Sequence, residues 1–446
     1  MNSQVIKIKD KEFLKLEIEK IIQKDNAFYI AKAPAREIVK MFTVSPAEYD
    51  IKKYSDLVSK NDDEQEYYNK IIDSKKKQVN FQRTKDKTRV NKIRDYIKNN
   101  EYAFFPNTII CTIDSILIDK TQDYKTFIEN NINRESSTTS YLIDENKTKK
   151  VLIPIIEKSI LVIDGQHRLE GLKEFYNNSN EEIQYDILLS LFIGFDRAII
   201  AQQFYIINYE QKPVNKSILY HLMGEFSDEI DEITILHNFT RLLNEFDKSP
   251  FYNRIKMLGK VPKGASRGHK YSISQAFLID ELIKTISKKS INSIYQPIFL
   301  YYFLNKNLQI EIVKFIIKFF NAVKSLRNDW ETPQTSILSK GMGIAALIRV
   351  MQLLVPIIFI DKYENNPQKL ISISQKDIEL LLTGIESVDL SPFSGQGSAG
   401  SISKIKVALI EGIHFFNYSN YSKFESEFKI TYLPKFKEWN KLLLKN

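Results

Sequence analysis

Residues 159–172, SILVIDGQHRLEGL, decide the fold of the first half of this 446-residue chain. The run SILVI is short, apolar and β-branched, which is typical of a buried strand. Asp164 and Gly165 follow it, and glycine can turn the chain because it reaches positive φ without steric cost. Leu169 and Leu172 then recur at helical spacing. The segment therefore predicts a strand, a tight turn and a helix in direct succession.

The predicted turn carries a dense set of functional groups. Asp164, Gln166, His167 and Arg168 place a carboxylate, an amide, an imidazole and a guanidinium within five residues. The first turn of a helix favours anions, Arg168 can grip a phosphate with two hydrogen bonds, and Asp164 can hold Mg²⁺ or a water. His167 titrates near neutral pH and suits proton transfer. The alternative is that Asp164 only caps the helix and that the other side chains are solvated.

Strand-like and helix-like segments alternate up to about residue 220. Residues 85–99 carry an amphipathic helical stripe, and residues 105–113 and 186–193 are short apolar runs typical of strands. Long helical patterns follow. We therefore predict an α/β (α+β) protein with a mainly helical C-terminal lobe. The predicted division is an N-terminal helix at residues 1–24, an α/β domain at 25–220 and a helical domain at 221–446.

The central segment resembles the signature of the DGQHR-domain family, which includes the DndB-like DNA sulfur-modification proteins. Its flanks resemble that family too, at residues 81–83 (FQR), 105–110 (FPNTII), 204–208 (FYIIN) and 211–214 (QKPV). The resemblance covers about residues 78–220. It implies a ParB/sulfiredoxin-like fold for the N-terminal lobe, in which a comparable strand–turn–helix presents an arginine to a nucleotide phosphate.

The resemblance implies a nucleotide or phosphate pocket at the turn. ATP or another nucleoside triphosphate with Mg²⁺ is the cofactor expected there. The residues expected to be catalytic are Asp164 and His167, and Asp164 is also the expected metal ligand. The residues expected to bind nucleotide or phosphate are Gln82, Arg83, Gly165, Gln166, Arg168 and Asn208. Related nucleotide-hydrolysing families have Gln where this chain has His167, so hydrolysis does not transfer directly.

The net charge of +9 favours an anionic partner. Lys85, Arg89 and Lys92 share one face of the predicted helix at 85–99, and Lys263, Arg267 and Lys270 lie in a glycine-containing loop. Both groups suit contacts to the DNA backbone, which give affinity without sequence choice. The alternative for both is a solvated surface.

Several classes of protein are disfavoured by the sequence. The only cysteine, Cys111, allows neither an internal disulfide nor a thiolate-rich metal site. The five histidines lack zinc-ligand spacing, and no Walker A motif occurs. Residues 341–360 are apolar, but Arg349 near their centre would be costly in a bilayer, so we predict a buried helix. No secretory signal is recognised, and we expect a cytoplasmic protein without a membrane partner.

Three functions remain open from the sequence. The first, which we favour, is a DNA-binding regulator of expression in a DNA-modification or anti-phage (phage-defence) system. The second is a Mg²⁺-dependent nucleoside triphosphatase of such a system. The third is a non-catalytic scaffold for modification enzymes. The expected partners are DNA and proteins of DNA modification or defence, and oligomerisation is left open.

Overall fold

The chain divides into two compact units in a computed structural model. Unit 1 comprises Met1–Glu48 and Val79–Val214, and unit 2 comprises Tyr49–Gln78 and Asn215–Asn446. Unit 2 therefore includes residues from inside the range predicted for the α/β domain. The structure describes residues 3–42, 63–74, 86–145, 148–178, 183–195, 197–209, 215–226, 231–262, 264–265, 268–333, 336–393 and 399–444.

A mixed sheet forms unit 1. Within the described residues it has nine strands, in the order β5-β6-β7-β2-β3-β9-β4-β8, with β1 on β2. The strands are β1 (Ser3–Ile8), β2 (Lys11–Gln23), β3 (Asn26–Pro34), β4 (Ile109–Ile113), β5 (Ser115–Leu117), β6 (Ser140–Glu145), β7 (Thr148–Pro154), β8 (Leu161–Asp164) and β9 (Asp186–Ile193). Unit 2 adds a parallel pair, β10 (Ile255–Lys256) and β11 (Ile273–Ser274).

Helices make up most of the remaining described chain. In chain order they are α1 (Ala35–Met41), α2 (Glu64–Ser74), α3 (Lys87–Asn99), α4 (Tyr124–Asn131), α5 (Gln166–Asn178), α6 (Arg197–Tyr209), α7 (Lys216–Phe226), α8 (Glu232–Glu245), α9 (Gln275–Leu282), α10 (Leu300–Leu304), α11 (Gln309–Leu326), α12 (Gly341–Asp361), α13 (Pro367–Ile371), α14 (Gln375–Leu382), α15 (Ala399–Gly412), α16 (Tyr421–Glu427) and α17 (Leu433–Leu442). The mixed α/β class with a helical second half is confirmed.

The predicted N-terminal helix is wrong, because residues 11–23 form the long strand β2. Leu14, Leu16 and Ile18 are buried at every second position, with Lys15 and Glu17 between them. This period of two is that of a strand with one buried face. The first half of β2 pairs with β1 and β7, and its second half pairs with β3.

The helices α1, α3 and α5 contribute to one hydrophobic core with the sheet. Leu169, Leu172 and Phe175 of α5 are buried in it with Val162 and Leu189 of the strands. The predicted strand, turn and helix at residues 159–172 are confirmed as β8 and α5. The sheet and these helices hold the turn between β8 and α5 in place.

A close approach of α3 to α5 depends on Gly171. A Cβ atom at this position would lie 2.3 Å from Ile93 Cγ2 of α3, which is far inside van der Waals contact. Arg89 lies one helical turn before Ile93. The small residue in α5 therefore brings the N-terminal turn of α3, with Arg89, next to the start of α5.

The helix α12 is the buried helix predicted from the sequence. It is long and apolar enough to cross a membrane, and within the described residues it alone meets that test, but 89% of its most apolar window is buried inside the protein. Its polar Gln352 donates hydrogen bonds to the carbonyl oxygens of Lys284 (3.3 Å) and Gln296 (3.0 Å). These bonds satisfy the amide nitrogen inside a packed core, whereas the Oε1 atom of Gln352 has no hydrogen-bond partner among the described residues.

Candidate functional site

A pocket of about 600 Å³ opens in unit 1 where β8 meets α5. All five residues of the D-G-Q-H-R motif, at positions 164–168, line it. Arg89 of α3 and the segment before β4, with Asn107 and Thr108, form a polar wall. Ile93, Ile163, Phe204 and Ile207 are among the apolar lining residues. The pocket thus combines a polar motif with an apolar wall, as ligand sites commonly do.

Gly165 is required by the turn itself. Its φ is +93°, a conformation that L side chains rarely adopt. A Cβ atom there would lie 2.5 Å from Ile109 Cδ1 and 3.1 Å from Arg168 Nη2. The glycine therefore allows the reversal of the chain and leaves room for the Arg168 side chain.

Arg168 fastens the turn to the segment before β4. Its Nη1 donates to the carbonyl oxygen of Asn107 (2.6 Å) and its Nη2 donates to that of Thr108 (3.0 Å). A longer contact of 3.4 Å joins Nη2 to Asp164 Oδ2. The guanidinium that we expected to grip a phosphate is thus already engaged with backbone carbonyls. Its side chain is 17% exposed, so it lies in the pocket wall.

The electrostatics of the wall favour an anion. Burial lowers the pKa of the Arg168 guanidinium; Asp164 opposes this effect, and the positive charge of Arg89 adds to it. The described lining therefore carries two guanidinium groups against one carboxylate. An anion bound beside Arg89 and Arg168 would relieve the repulsion between them.

The other predicted pocket residues fall in three groups. Asp164, 24% exposed, and His167, half-buried, both line the pocket, and Gln166 is buried in its wall. Asn208 belongs to α6, but its side chain lies outside what the structure describes. Gln82 and Arg83 also lie outside the described residues.

The predicted DNA-contact residues are also divided. Lys85, Lys263 and Arg267 lie outside the described residues. Lys92 is exposed on α3, and Lys270 lies in unit 2, where it pairs with Glu331. Arg89 is exposed and lines the pocket. From the sequence pattern we assigned Arg89 to a DNA-binding face of the predicted helix and not to the pocket. The available signal was its spacing, because Arg89 lies four residues, or about one helical turn, before Ile93 of the apolar stripe.

Unit 2 holds a buried polar network that the sequence pattern did not predict. Glu225 Oε1 accepts a hydrogen bond from Arg241 Nη1 (3.0 Å) and pairs with His237 Nε2 (2.9 Å). Arg241 Nε also donates to Glu245 Oε1 (3.1 Å), and Tyr67 of α2 donates to Glu245 Oε2 (2.6 Å). The network ties α2, α7 and α8 together inside unit 2.

The same network contains a group with metal-ligand chemistry. Ligand atoms of His221, Glu225 and His237 lie within 4.8 Å of one another. His221 and Glu225 are four residues apart on α7 and share a helix face, but His237 belongs to α8, so the sequence does not indicate the whole group. Arg241, however, binds the Glu225 oxygen that also faces His237. A guanidinium in that position supplies the positive charge that a metal ion would bring, so we interpret the group as an ion-pair network.

The fold and the turn define an α/β unit that presents a D-G-Q-H-R motif over a pocket. The sequence profile of the DndB family, described as DNA-sulfur modification-associated, matches residues 17–374, which is most of the chain. The chain belongs to the DndB family, and this confirms the expected link to DNA modification. No curated protein and no solved structure matches it.

The first prediction concerns Arg168 as a structural brace. Arg168→Lys keeps the positive charge but cannot span both carbonyl oxygens. We expect it to lower the free energy of unfolding by about 1.5–3 kcal/mol, the usual contribution of a hydrogen bond to a charged group. Urea unfolding followed by circular dichroism measures this. Arg94→Lys, on an exposed pair with Asp95, should change stability by less than about 1 kcal/mol. Equal stability of the Arg168→Lys and Arg94→Lys variants would show that the hydrogen bonds of Arg168 do not stabilise the fold.

The second prediction concerns Glu225, which is 1% exposed. Burial raises its pKa, but Arg241 and His237 outweigh burial and hold the pKa well below its usual value. Its contribution to stability is therefore complete above the unfolded-state pKa of about 4.3 and is lost as the pH falls below that value. Glu225→Gln should cost about 3–5 kcal/mol at pH 7, and the difference from wild type should shrink under acid conditions.

Urea midpoints at neutral and acid pH test this expectation. Glu311→Gln, which removes a carboxylate from a partly exposed pair with Lys314, is the control and should behave like wild type at both pH values. A decrease in stability of Glu225→Gln that is independent of pH would contradict the ion-pair interpretation.

Proposed function

We propose that this protein is a DNA-associated regulator in a DNA-sulfur modification system, and that unit 1 binds a nucleotide or its phosphate at the turn of residues 164–168. The observation that carries this proposal is the pocket, whose lining includes the whole motif and Arg89. Membership of the DndB family supports the link to DNA modification. A role in phage defence, transcription regulation and a cytoplasmic location belong to the same proposal.

The pocket suits a phosphorylated ligand in size and charge. Its volume of about 600 Å³ falls within the ~300–1,000 Å³ of small-molecule sites. Among the lining residues that the structure describes, Arg89 and Arg168 outnumber Asp164. The N-terminus of α5 begins in the wall at Gln166, and its dipole adds positive potential there.

Arg89 is the group that contacts the phosphate in this proposal. Arg168 donates to two carbonyl oxygens and contributes mainly its charge and the shape of the turn. Arg89 is exposed at the first turn of α3, so its guanidinium can form the two-pronged contact that arginine makes with phosphate. Apolar residues such as Phe204 and Ile207 on α6 would face the base or sugar.

A second candidate function is Mg²⁺-dependent hydrolysis of a nucleoside triphosphate. Asp164 places a carboxylate and His167 an imidazole on the pocket wall. Mg²⁺ is commonly held by one or two carboxylates together with substrate phosphates, so Asp164 fits the ion. His167 would move a proton to or from the attacking water.

DNA is the expected macromolecular partner. Lys92 is exposed on α3, on the same helix as Arg89. Lys85, Lys263 and Arg267 remain expected DNA-contact residues of their own units, and they lie outside the described residues. Contacts of this kind bind DNA through its phosphates and weaken as the salt concentration rises. Proteins of DNA modification or defence are further proposed partners.

The third prediction tests the pocket with ATP, GTP, CTP and UTP, each with and without Mg²⁺. At about 100 times its dissociation constant, a nucleotide stabilises the protein by about 2.7 kcal/mol and shifts the melting temperature by degrees. Arg89→Ala should weaken the binding by about 10- to 100-fold, because it removes a charge-assisted hydrogen bond to the phosphate. Phosphate release, measured in the same samples, distinguishes hydrolysis from binding alone.

Arg94→Ala on the same helix is the matched control and should bind like wild type. Asp164→Asn should retain nucleotide binding in the absence of Mg²⁺ and abolish any Mg²⁺-dependent phosphate release. If no nucleotide shifts the melting temperature of wild type, the nucleotide pocket is wrong and a scaffold role gains support.

A further inference from the structure

A second pocket, in unit 2, has a volume of about 570 Å³. It is lined by residues of the loop after α8, by residues 264–265 and 268–271, and by Lys324 and Glu331. Two features distinguish it from an ordinary surface hollow. Three cationic side chains converge on one carboxylate inside it, and aromatic rings lie beside them.

Glu331 is the point of convergence. Its Oε2 accepts from Arg254 Nη2 (2.7 Å) and from Lys270 Nζ, and its Oε1 pairs with Lys324 Nζ (2.9 Å). Burial alone would raise the pKa of Glu331, but the lysines and Arg254 outweigh burial and lower the pKa to about 2. The Glu331 carboxylate thus faces three cations, and Asp247 is a second carboxylate in the pocket lining. A phosphate group carries the negative charge and the acceptor oxygens that could replace the Glu331 carboxylate among these cations.

The three cations differ in how firmly they are held. Arg254 is 3% exposed, and it also donates to the carbonyl oxygen of Trp330 (3.2 Å). Lys270 and Lys324 are each about half-exposed. Arg254 is therefore a fixed partner of Glu331, whereas the two lysines can turn towards another anion at little cost in buried contacts.

Aromatic and imidazole groups line the same pocket. Tyr252 is 39% exposed, and the rings of His269 and Tyr271 lie 5.8 Å apart. The Nδ1 atom of His269 is buried and has no hydrogen-bond partner among the described residues. A buried nitrogen in this state is uncommon in folded proteins and can accept or donate a bond to a ligand.

We propose that this pocket binds a phosphate and the adjacent base of single-stranded DNA, and that Glu331 occupies the place of the phosphate when no DNA is bound. Lys270 and Lys324 move from Glu331 to the phosphate, and the base stacks on Tyr252 within reach of His269. An unpaired base exposes the ring face that stacking needs, whereas a duplex buries it and is too wide for a pocket of this size. The inference rests on the DNA association proposed above and assigns it a site in unit 2.

The fourth prediction uses the full chain and a fluorescein-labelled oligothymidylate, with binding measured by anisotropy over a salt series. The double variant Lys270→Ala/Lys324→Ala should bind at least about tenfold more weakly, and the log–log salt slope should fall by about 0.7 for each phosphate that the variant no longer neutralises. Tyr252→Leu should weaken binding by about 5- to 100-fold. Lys284→Ala, in an ion pair with Glu281, is the control for removing a lysine from unit 2.

Glu331→Gln gives the most specific result. If Glu331 competes with the phosphate, its neutralisation should tighten binding by about tenfold, although it removes an ion-pair partner. A purely structural cluster would instead give unchanged or weaker binding, with a lower melting temperature. Unchanged or weaker binding by a folded Glu331→Gln variant, as judged by circular dichroism, would overturn the inference.

Further experiments distinguish DNA from other sources of phosphate, and distinguish failure of this site from failure of the proposed function. Duplex DNA, thymidine monophosphate and inorganic phosphate serve as competitors, and the oligothymidylate should compete best. DNA binding that depends on Lys92 but not on Lys270 and Lys324 would reject this site and leave the proposed function intact. A wild-type chain that binds no DNA would reject both.

Discussion

The hydrogen bonds from Arg168 to the carbonyl oxygens of Asn107 and Thr108 are the interaction on which the unit 1 pocket depends. They join the start of α5 to the segment that enters β4, two parts of the chain 60 or 61 residues apart. Because Gly165 reverses the chain immediately before, the guanidinium can reach back beneath the turn. Arg168 therefore has two effects on the pocket: its hydrogen bonds fix the shape of the turn, and its guanidinium contributes positive charge.

The packing of α3 on α5 provides the second constraint. Gly171 lets the two helices meet closely at Ile93, and this contact sets the distance of Arg89 from the turn. Both arginines line the pocket, and among the described lining residues Asp164 alone carries a negative charge to balance them. Unit 2 also brings cationic side chains together, but there the Glu331 carboxylate pairs with all three of them. Both units thus concentrate positive charge at a concave surface.

The sequence predicted the strand, turn and helix around residues 159–172 because the apolar run, the glycine and the helical stripe all indicate the same local structure. It failed at β2, where charged residues alternate with Leu14 and Leu16, because a short apolar pattern was assigned a helical period. The residues of the motif were predicted from the sequence, but the hydrogen-bond partners of Arg168 were not. These partners are backbone carbonyl groups, which every residue has, so no residue type indicates them. The convergence on Glu331 was missed for the related reason that Arg254 and Lys270 lie 77 and 61 residues before it in the chain.

Hydrogen exchange of the full chain, with and without ATP and Mg²⁺, tests the unit 1 pocket most directly. We expect slower exchange, in the presence of nucleotide, in peptides that cover the turn at residues 164–168, the segment at 107–110 and the first turn of α3. These are the segments that line one wall of the pocket. Unchanged exchange in all three, at a nucleotide concentration that raises the melting temperature, would show that the ligand binds elsewhere and would contradict the assignment of the pocket.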